Sequence, residues 1–280
     1  MKDLKPGLYI VSTPIGNLND ITLRALDVLK KSEIILCEDT RRSLKLLNHF
    51  KIKKKLISYH KFNEKKKLVK IIEYLNGGKI LSLISDAGTP TLSDPGHLLI
   101  KECINKKIDI YPIPGVSSVT ASMSVSGFED KFIFYGFLPK KLSELERVLS
   151  NLKKLQYSLV FFIPANKINF CIEKFRSYFS GRNILLAKEI TKIHETFIRG
   201  EVDSIKQFKT PIKGEFTVVI SKNYNKNDSS SVYDIEKEAM KYLKKYSLKD
   251  SVKFISSKNN ISKNKVYKIC LNIKKNEKNS

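Results

Sequence analysis

The sequence predicts an α/β protein whose first half carries a parallel sheet, and three observations carry that prediction. Short apolar runs rich in β-branched residues recur at residues 8–11, 34–37, 80–84 and 108–111, the composition of strands buried on both faces. Stretches with apolar residues at helical spacing separate these runs, so successive strands are joined by crossovers rather than hairpins. Three of the runs then end in turn chemistry: Ser12-Thr13-Pro14-Ile15-Gly16-Asn17, Ser85-Asp86-Ala87-Gly88-Thr89-Pro90 and Pro112-Ile113-Pro114-Gly115-Val116-Ser117-Ser118.

In a parallel sheet the loops at the carboxyl ends of the strands gather along one edge, where ligands bind. Glycine and proline let backbone approach a ligand, while Ser, Thr and Asp supply donors and acceptors. Any one of these loops is equally well an ordinary strand-to-helix turn. Three in one half-chain point to a small polar ligand.

Between the strands, residues 20–29 space their apolar side chains as a helix, with Asn19 or Asp20 expected as N-cap. The run at 34–37 ends in Glu38-Asp39-Thr40-Arg41-Arg42. A helix over 68–75 is stopped by Asn76-Gly77-Gly78, and another over 97–105 is opened by Asp94-Pro95-Gly96, with Asp94 the expected N-cap.

Past Gly127 the texture changes. Strands are predicted at 132–137, 158–162, 183–187, 196–199 and 216–220, interrupted by helices over 143–155 and 168–179. Several connections are short enough for hairpins, so this half reads as a mixed sheet. Residues 223–231 form a polar linker without apolar periodicity. Beyond it, 232–246, 248–257 and 263–273 fit three short helices, with Ser247 and Ser262 as N-caps. The organisation expected is an α/β domain over 1–118, a second over 119–222 and a small basic helical domain over 232–280.

The 280 residues carry a net charge of +24, with 41% hydrophobic residues. Such a field favours a polyanionic partner, RNA above all, although a lysine-rich composition with abundant asparagine and isoleucine also follows from coding bias. Residues 222–280 hold fifteen lysines against six acidic residues, a net of +9 and denser than the rest. That module either presents a helix to nucleic acid or is a solvated dimerisation appendage. Cys37, Cys103, Cys171 and Cys270 stand singly, as do the four histidines, so neither a disulfide framework nor a metal site is expected. No apolar run approaches the roughly 18–20 residues that span a bilayer. Met1–Pro6 lacks the apolar core of a signal peptide, and a cytoplasmic location is expected.

The motifs then acquire a family. Residues 8–22 with their Thr-Pro-Ile-Gly-Asn block, Glu38-Asp39-Thr40-Arg41, Ser85-Asp86-Ala87-Gly88-Thr89-Pro90 and Ser93-Asp94-Pro95-Gly96 resemble the signature of the ribosomal RNA small subunit methyltransferase I family. That family is similar in fold to the tetrapyrrole methylases and to diphthine synthase. The resemblance continues through Gly136-Phe137-Leu138-Pro139, Lys188-Glu189-Ile190-Thr191-Lys192, Arg199-Gly200 and Lys213-Gly214-Glu215, and reaches Asn264-Lys265-Val266-Tyr267-Lys268. It implies a two-domain tetrapyrrole-methylase-like fold with S-adenosylmethionine in the cleft between the halves. It also implies a homodimer that methylates the ribose 2′-oxygen of a cytidine in the decoding region of 16S rRNA in the small ribosomal subunit.

On this resemblance the three loops hold the cofactor: Thr13, Pro14, Gly16, Ser85, Asp86, Ala87, Gly88, Thr89, Pro114, Gly115, Ser117 and Ser118. Asp86 stands where tetrapyrrole methylases carry a Gly-Asp-Pro motif, or it shapes its turn. Glu38, Asp39 and Arg41 form the expected catalytic cluster. Arg41 would meet phosphate, and Asp39 would orient or deprotonate the hydroxyl; the alternative is a local ion pair capping the next helix. Arg24 is an expected surface partner of this cluster or of RNA, and Lys188, Glu189, Thr191 and Glu215 are expected along the cleft. The sequence departs from the family at Phe161-Phe162-Ile163-Pro164-Ala165-Asn166-Lys167, where relatives carry Phe-Tyr-Glu-Ser/Ala-x-His-Arg, and more mildly at Pro114-Gly115-Val116-Ser117-Ser118. The first departure bears on substrate positioning more than on the cofactor. It leaves open a basic RNA-binding or ribosome-assembly protein without catalysis, beside a methylase of a tetrapyrrole or of a protein side chain.

Overall fold

The computed structural model describes residues 4–209, 211–223, 232–259 and 262–278. They divide into two compact units, Met1–Ser221 and Lys222–Ser280.

The first unit holds two five-stranded sheets. In the first, β1 (Gly7–Val11), β2 (Ile34–Cys37), β3 (Lys55–Ser58), β4 (Ile80–Ile84) and β5 (Ile110–Ile113) lie in the order β3-β2-β4-β1-β5. Every pairing is parallel, so the loops after β2, β4, β1 and β5 leave along one edge. Alternate residues face opposite sides. Ile34 and Leu36 pack with Ile71, Leu75 and Leu99 of α3 (Glu64–Asn76) and α4 (His97–Asn105), while Ile35 and Cys37 pack with Val28 and Leu47 of α1 (Leu23–Lys31) and α2 (Thr40–His49).

The second sheet runs β6-β7-β10-β8-β9, built from β6 (Phe132–Phe137), β7 (Ser158–Pro164), β8 (Asn183–Lys188), β9 (Thr196–Glu201) and β10 (Glu215–Ile220). Only its β6–β7 pair is parallel, which makes the sheet mixed. One face carries α6 (Leu142–Lys153) and α7 (Ile168–Phe179) over a core with Phe161 stacked on Phe175 at 5.4 Å between ring centroids. The other face carries α5 (Ser118–Ser124) and gathers Val119, Val160, Leu185 and Val219, with Ile15 of the first half packed against them.

The second unit is three helices, α8 (Val232–Leu243), α9 (Leu248–Asn259) and α10 (Lys263–Lys278). They enclose a small core of Ile235, Ala239, Val252, Ile255, Val266, Cys270 and Ile273. Ser247 caps α9 as expected, accepting from the Asp250 N–H at 3.2 Å.

Several local expectations are corrected. Helix α1 is capped by Thr22, whose hydroxyl accepts from the Ala25 N–H, because residues 18–20 are spent on a separate 3₁₀ turn capped by Asn17. Helix α4 is capped by Gly96 at φ 126, not by Asp94. Strand β5 begins two residues later than its apolar run suggested, and α10 runs on to Lys278. Helix α5 and strand β3 were not anticipated, and α2 only as the helix that an Asp39–Arg41 ion pair would cap, which is what it is. Residues 224–231 of the expected linker lie outside the described residues. No helix of the described residues is long and apolar enough to cross a membrane. Among them no cluster of His, Cys, Asp and Glu could hold a metal ion. The four cysteines are free and buried, and burial pushes the Cys103 and Cys171 thiols up to about 11.

Candidate functional site

The structure laces the three turn loops together. Thr13 and Gly88 exchange backbone hydrogen bonds of 2.9 and 3.0 Å, and the Thr13 hydroxyl donates to the Ser85 carbonyl at 3.2 Å. The Ser12 and Thr89 hydroxyls lie 3.0 Å apart, and Thr89 Oγ1 reaches the Val116 carbonyl at 3.3 Å. Strand parallelism makes this possible, since all three loops start from one sheet edge.

Above them lies a cavity of about 490 Å³ between the two sheets. Asp86, Ala87, Gly88, Thr89, Ser117 and Ser118 line it, as does Ile15; so do Phe137, Phe162 and Glu215 of the second sheet, and Glu189 and Lys192 of the turn after β8. The remaining candidates lie outside that lining. Thr13 and Ser85 are buried in the lacing. Pro14 precedes Ile15 and Gly16, and a Cβ on Gly16 would come 2.5 Å from Lys192 Cγ and 2.8 Å from Thr191 Oγ1. Asn17 N–H donates to Thr191 Oγ1 at 3.0 Å. The Pro-Ile-Gly-Asn segment is therefore a clasp between the sheets. Pro114 leads into Gly115, where a Cβ would meet Ser12 Cβ at 2.9 Å.

The carboxylates divide likewise. Glu38 lines the cavity with Asp86 and Asp94. Burial, and then the Asp86 charge, raise the Glu38 carboxyl above its ordinary value. Burial pushes Asp94 up to about 6, with the Glu38 charge adding to it and a hydrogen bond to Ser85 opposing. Arg42 Nη1 stands 3.2 Å from Asp86 Oδ2, and Asp86 Oδ1 accepts from the Asp39 N–H at 3.2 Å.

Asp39 and Arg41 sit outside the cavity lining. Asp39 caps α2 by accepting from the Arg41 N–H at 2.9 Å, and the Arg41 side chain grips the same carboxylate at 2.7 and 3.1 Å. The Arg41 side chain is 87% exposed. Its hydrogen bonds hold the Asp39 carboxyl well below the usual range.

On the opposite wall Lys192 Nζ binds Glu189 at 2.9 Å and Glu215 at 3.3 Å, and the Glu215 N–H donates to Glu189 Oε1. Burial resists ionisation of Glu189, but the Lys192 hydrogen bond and the Glu215 amide outweigh it and lower its carboxyl. Of the cleft residues expected here, Glu189 and Glu215 line the cavity, and Thr191 serves the clasp. Strain concentrates around the cavity: Thr91, Ser93, Glu189 and Thr191 all hold positive φ, at 72, 74, 52 and 65°, a conformation L-residues keep only where surroundings enforce it.

Sequence reasoning missed Asp94, Arg42 and Lys192 as cavity residues. Asp94 was hidden by the cap reading of Asp-Pro-Gly, and Arg42 by its neighbour Arg41. Residues 161–167 form the end of β7 and the 3₁₀ turn Ala165–Lys167, and Phe162, Ile163 and Pro164 among them line the cavity.

The tetrapyrrole (corrin/porphyrin) methylase profile matches residues 7–206. A Mesomycoplasma conjunctivae protein named ribosomal RNA small subunit methyltransferase I is 45% identical over 229 residues, covering 81% of this chain and 96% of its own. A protein of the same name from Halalkalibacterium halodurans is 32% identical over 276 residues, 96% of both chains. Among solved structures, uroporphyrin-III C-methyl transferase from Thermus thermophilus, complexed with S-adenyl homocysteine, superposes with a TM-score of 0.55 at 14% identity, covering 77% of this chain and 97% of the other. That last likeness is one of fold.

Proposed function

The chain belongs to the tetrapyrrole (corrin/porphyrin) methylase family and, within it, to the ribosomal RNA small subunit methyltransferase I family; from that premise we propose that it transfers a methyl group from S-adenosylmethionine to small-subunit ribosomal RNA. The acceptor in this reading is the ribose 2′-oxygen of a cytidine in the decoding region of 16S rRNA, met in the small ribosomal subunit by a homodimer. The observation that carries the substrate class is the likeness to relatives of that name, over 96% of both chains in one case. The net charge of +24 accords with it.

The cavity suits the donor. Its volume lies within the range of roughly 300–1,000 Å³ usual for small-molecule sites, and it sets apolar Ile15, Phe137 and Phe162 beside carboxylates and open loop backbone. When bound, S-adenosylmethionine supplies a methyl group on a cationic sulfonium. Asp86, Ala87, Gly88, Thr89, Ser117 and Ser118 would hold it, and Thr13, Pro14, Gly16, Ser85, Pro114 and Gly115 fix the loops that carry them.

The protein's remaining task is to align the ribose hydroxyl and take its proton. Glu38, in the cavity with a raised carboxyl, is the better proton acceptor for being more basic than a solvated carboxylate. Asp39 orients Arg41, whose exposed guanidinium meets a phosphate of the RNA. Against transfer to a tetrapyrrole stands the name of the relatives, which specifies ribosomal RNA.

The test is transfer of a labelled methyl group to small ribosomal subunits lacking the modification, followed by digestion to nucleosides. Label in 2′-O-methylcytidine is expected. Label on a base would overturn the acceptor atom, and unlabelled rRNA the whole reading.

A further inference from the structure

We propose that the turn between β3 and α3 is a nucleobase-stacking subsite, in which the Phe62 ring takes the face of an unpaired base while Lys61, Lys65 and Lys66 meet the flanking phosphates. The proposal deepens the RNA-methyltransferase reading and rests on it.

A phenylalanine left in water forfeits its whole hydrophobic stabilisation, and Phe62 is 95% exposed. The turn beneath it is nonetheless tightly built. His60 N–H donates to Asn63 Oδ1 at 2.9 Å, Asn63 Nδ2 to the Ser58 carbonyl at 3.2 Å, and Phe62 N–H to His60 Nδ1 at 3.3 Å. The Asn63 and Glu64 N–H groups both bond the His60 carbonyl, and Lys67 Nζ donates to the Ser58 carbonyl at 2.6 Å. The His60 ring stands 6.1 Å from Phe62 at 65°. An aromatic side chain carried outward on so fixed a base loses little freedom when a flat partner settles on it.

The turn stands beside the cavity. β3 runs parallel to β2 with Ser58 opposite Cys37, Tyr59 N–H donates to the Cys37 carbonyl at 2.7 Å, and Ser58 Oγ lies 3.5 Å from the Glu38 carbonyl. Glu38 itself lines the cavity. A nucleotide adjoining the methyl acceptor therefore lies within reach of the turn.

Chemistry selects the occupant. Lys61, Lys65 and Lys66, within four residues of Phe62 in sequence, are exposed, and aromatics interleaved with cations are how single-stranded nucleic acid is held. A protein partner would need an apolar patch of several side chains rather than one ring among lysines.

The test uses the full chain with a single-stranded oligoadenylate of about a dozen nucleotides, and an abasic strand of equal length and charge. Phe62→Ala should weaken oligoadenylate binding by between about 5- and 150-fold, leave the abasic strand unaffected, and be rescued by Phe62→Trp. Unchanged oligoadenylate binding would overturn the proposal, as would equal weakening of both strands. A fall in molecular mass with oligoadenylate binding intact would also overturn it, by assigning the ring to a protein contact. Methyl transfer to small subunits by the unaltered chain is measured alongside. Base-dependent binding through Phe62 without transfer upholds the subsite and defeats the functional reading; transfer without Phe62-dependent binding does the reverse.

Discussion

Thr13 and Gly88, 75 residues apart, exchange two backbone hydrogen bonds, and this bridge binds the first turn loop to the second. Gly88 holds it at φ +82, and a Cβ there would lie 3.3 Å from Ile15 Cγ2. Valine at such a φ costs on the order of 1–3 kcal/mol. That is too little to unfold a domain of this size, yet enough to part the loops. Gly88→Val is expected to lose S-adenosylmethionine binding by calorimetry while keeping a cooperative melt. Gly115→Val, whose Cβ would press on Ser12 at 2.9 Å, is expected to do the same. Unchanged binding in both would remove these loops from the donor site.

Asp39 does two things, and one substitution separates them. Asparagine caps a helix about as well as aspartate, so Asp39→Asn should keep α2 and melt close to the parent. It removes the charge that grips Arg41 at 2.7 Å. If that pair presents Arg41 to phosphate, Asp39→Asn and Arg41→Ala should each lower turnover on small subunits about tenfold or more, with donor affinity nearly intact. Full methylation by both would leave the pair a surface cap.

These two residues also mark the limit of what sequence could tell. Strands β1, β2 and β4 were legible because apolar runs buried on both faces leave no other reading, and α7 because its apolar face repeats at helical spacing. Helix α2 was not. It buries Ser43 and Leu47 within a basic, polar stretch, so its signal lay in the Asp39 cap rather than in periodicity. Edge strand β3 begins on an exposed lysine, and α5 is made of Ser, Thr and Ala with few long apolar side chains. The three turn loops that meet at the cavity were legible from their turn chemistry. Their laced contacts, with Thr13 and Ser85 buried behind Asp86 and Gly88, were not, since Thr-Pro and Ser-Asp look alike whether facing a ligand or a neighbour. The far wall, where Lys192 joins Glu189 to Glu215, depends on strand register that only the folded sheet displays.

Asp94 gives a pH signature. Its carboxyl rises from 3.8 to about 6 in the folded chain, through burial first and then the Glu38 charge. The folded state thus holds this proton more tightly than the unfolded chain. The stability this confers is full below about pH 4 and is lost as pH rises through about 6. Asp94→Asn carries no such charge. Its melting temperature should exceed the parent's above pH 6, and the gap should close on acidification toward pH 4. Thermal melts across that window decide it. A gap of equal size at every pH would mean that Asp94 is solvated like any surface carboxylate.

The C-terminal unit is separable by construction, since its core is drawn from its own three helices. Its fifteen lysines and six acidic residues leave a net of +9. If those lysines grip RNA, binding releases counterions, and log affinity falls linearly with log salt in proportion to the phosphates met. Ending the chain after Asn223 should then weaken small-subunit binding and flatten that slope, while the donor site in Met1–Ser221 keeps its affinity. A dimerisation role predicts otherwise: the shortened chain would run at the monomer mass in light scattering, with the salt slope of the intact protein per site. A shortened chain that stays dimeric with an unaltered slope would defeat both. RNA contact is the expected result, because the net charge of this unit is strongly positive and favours a polyanion.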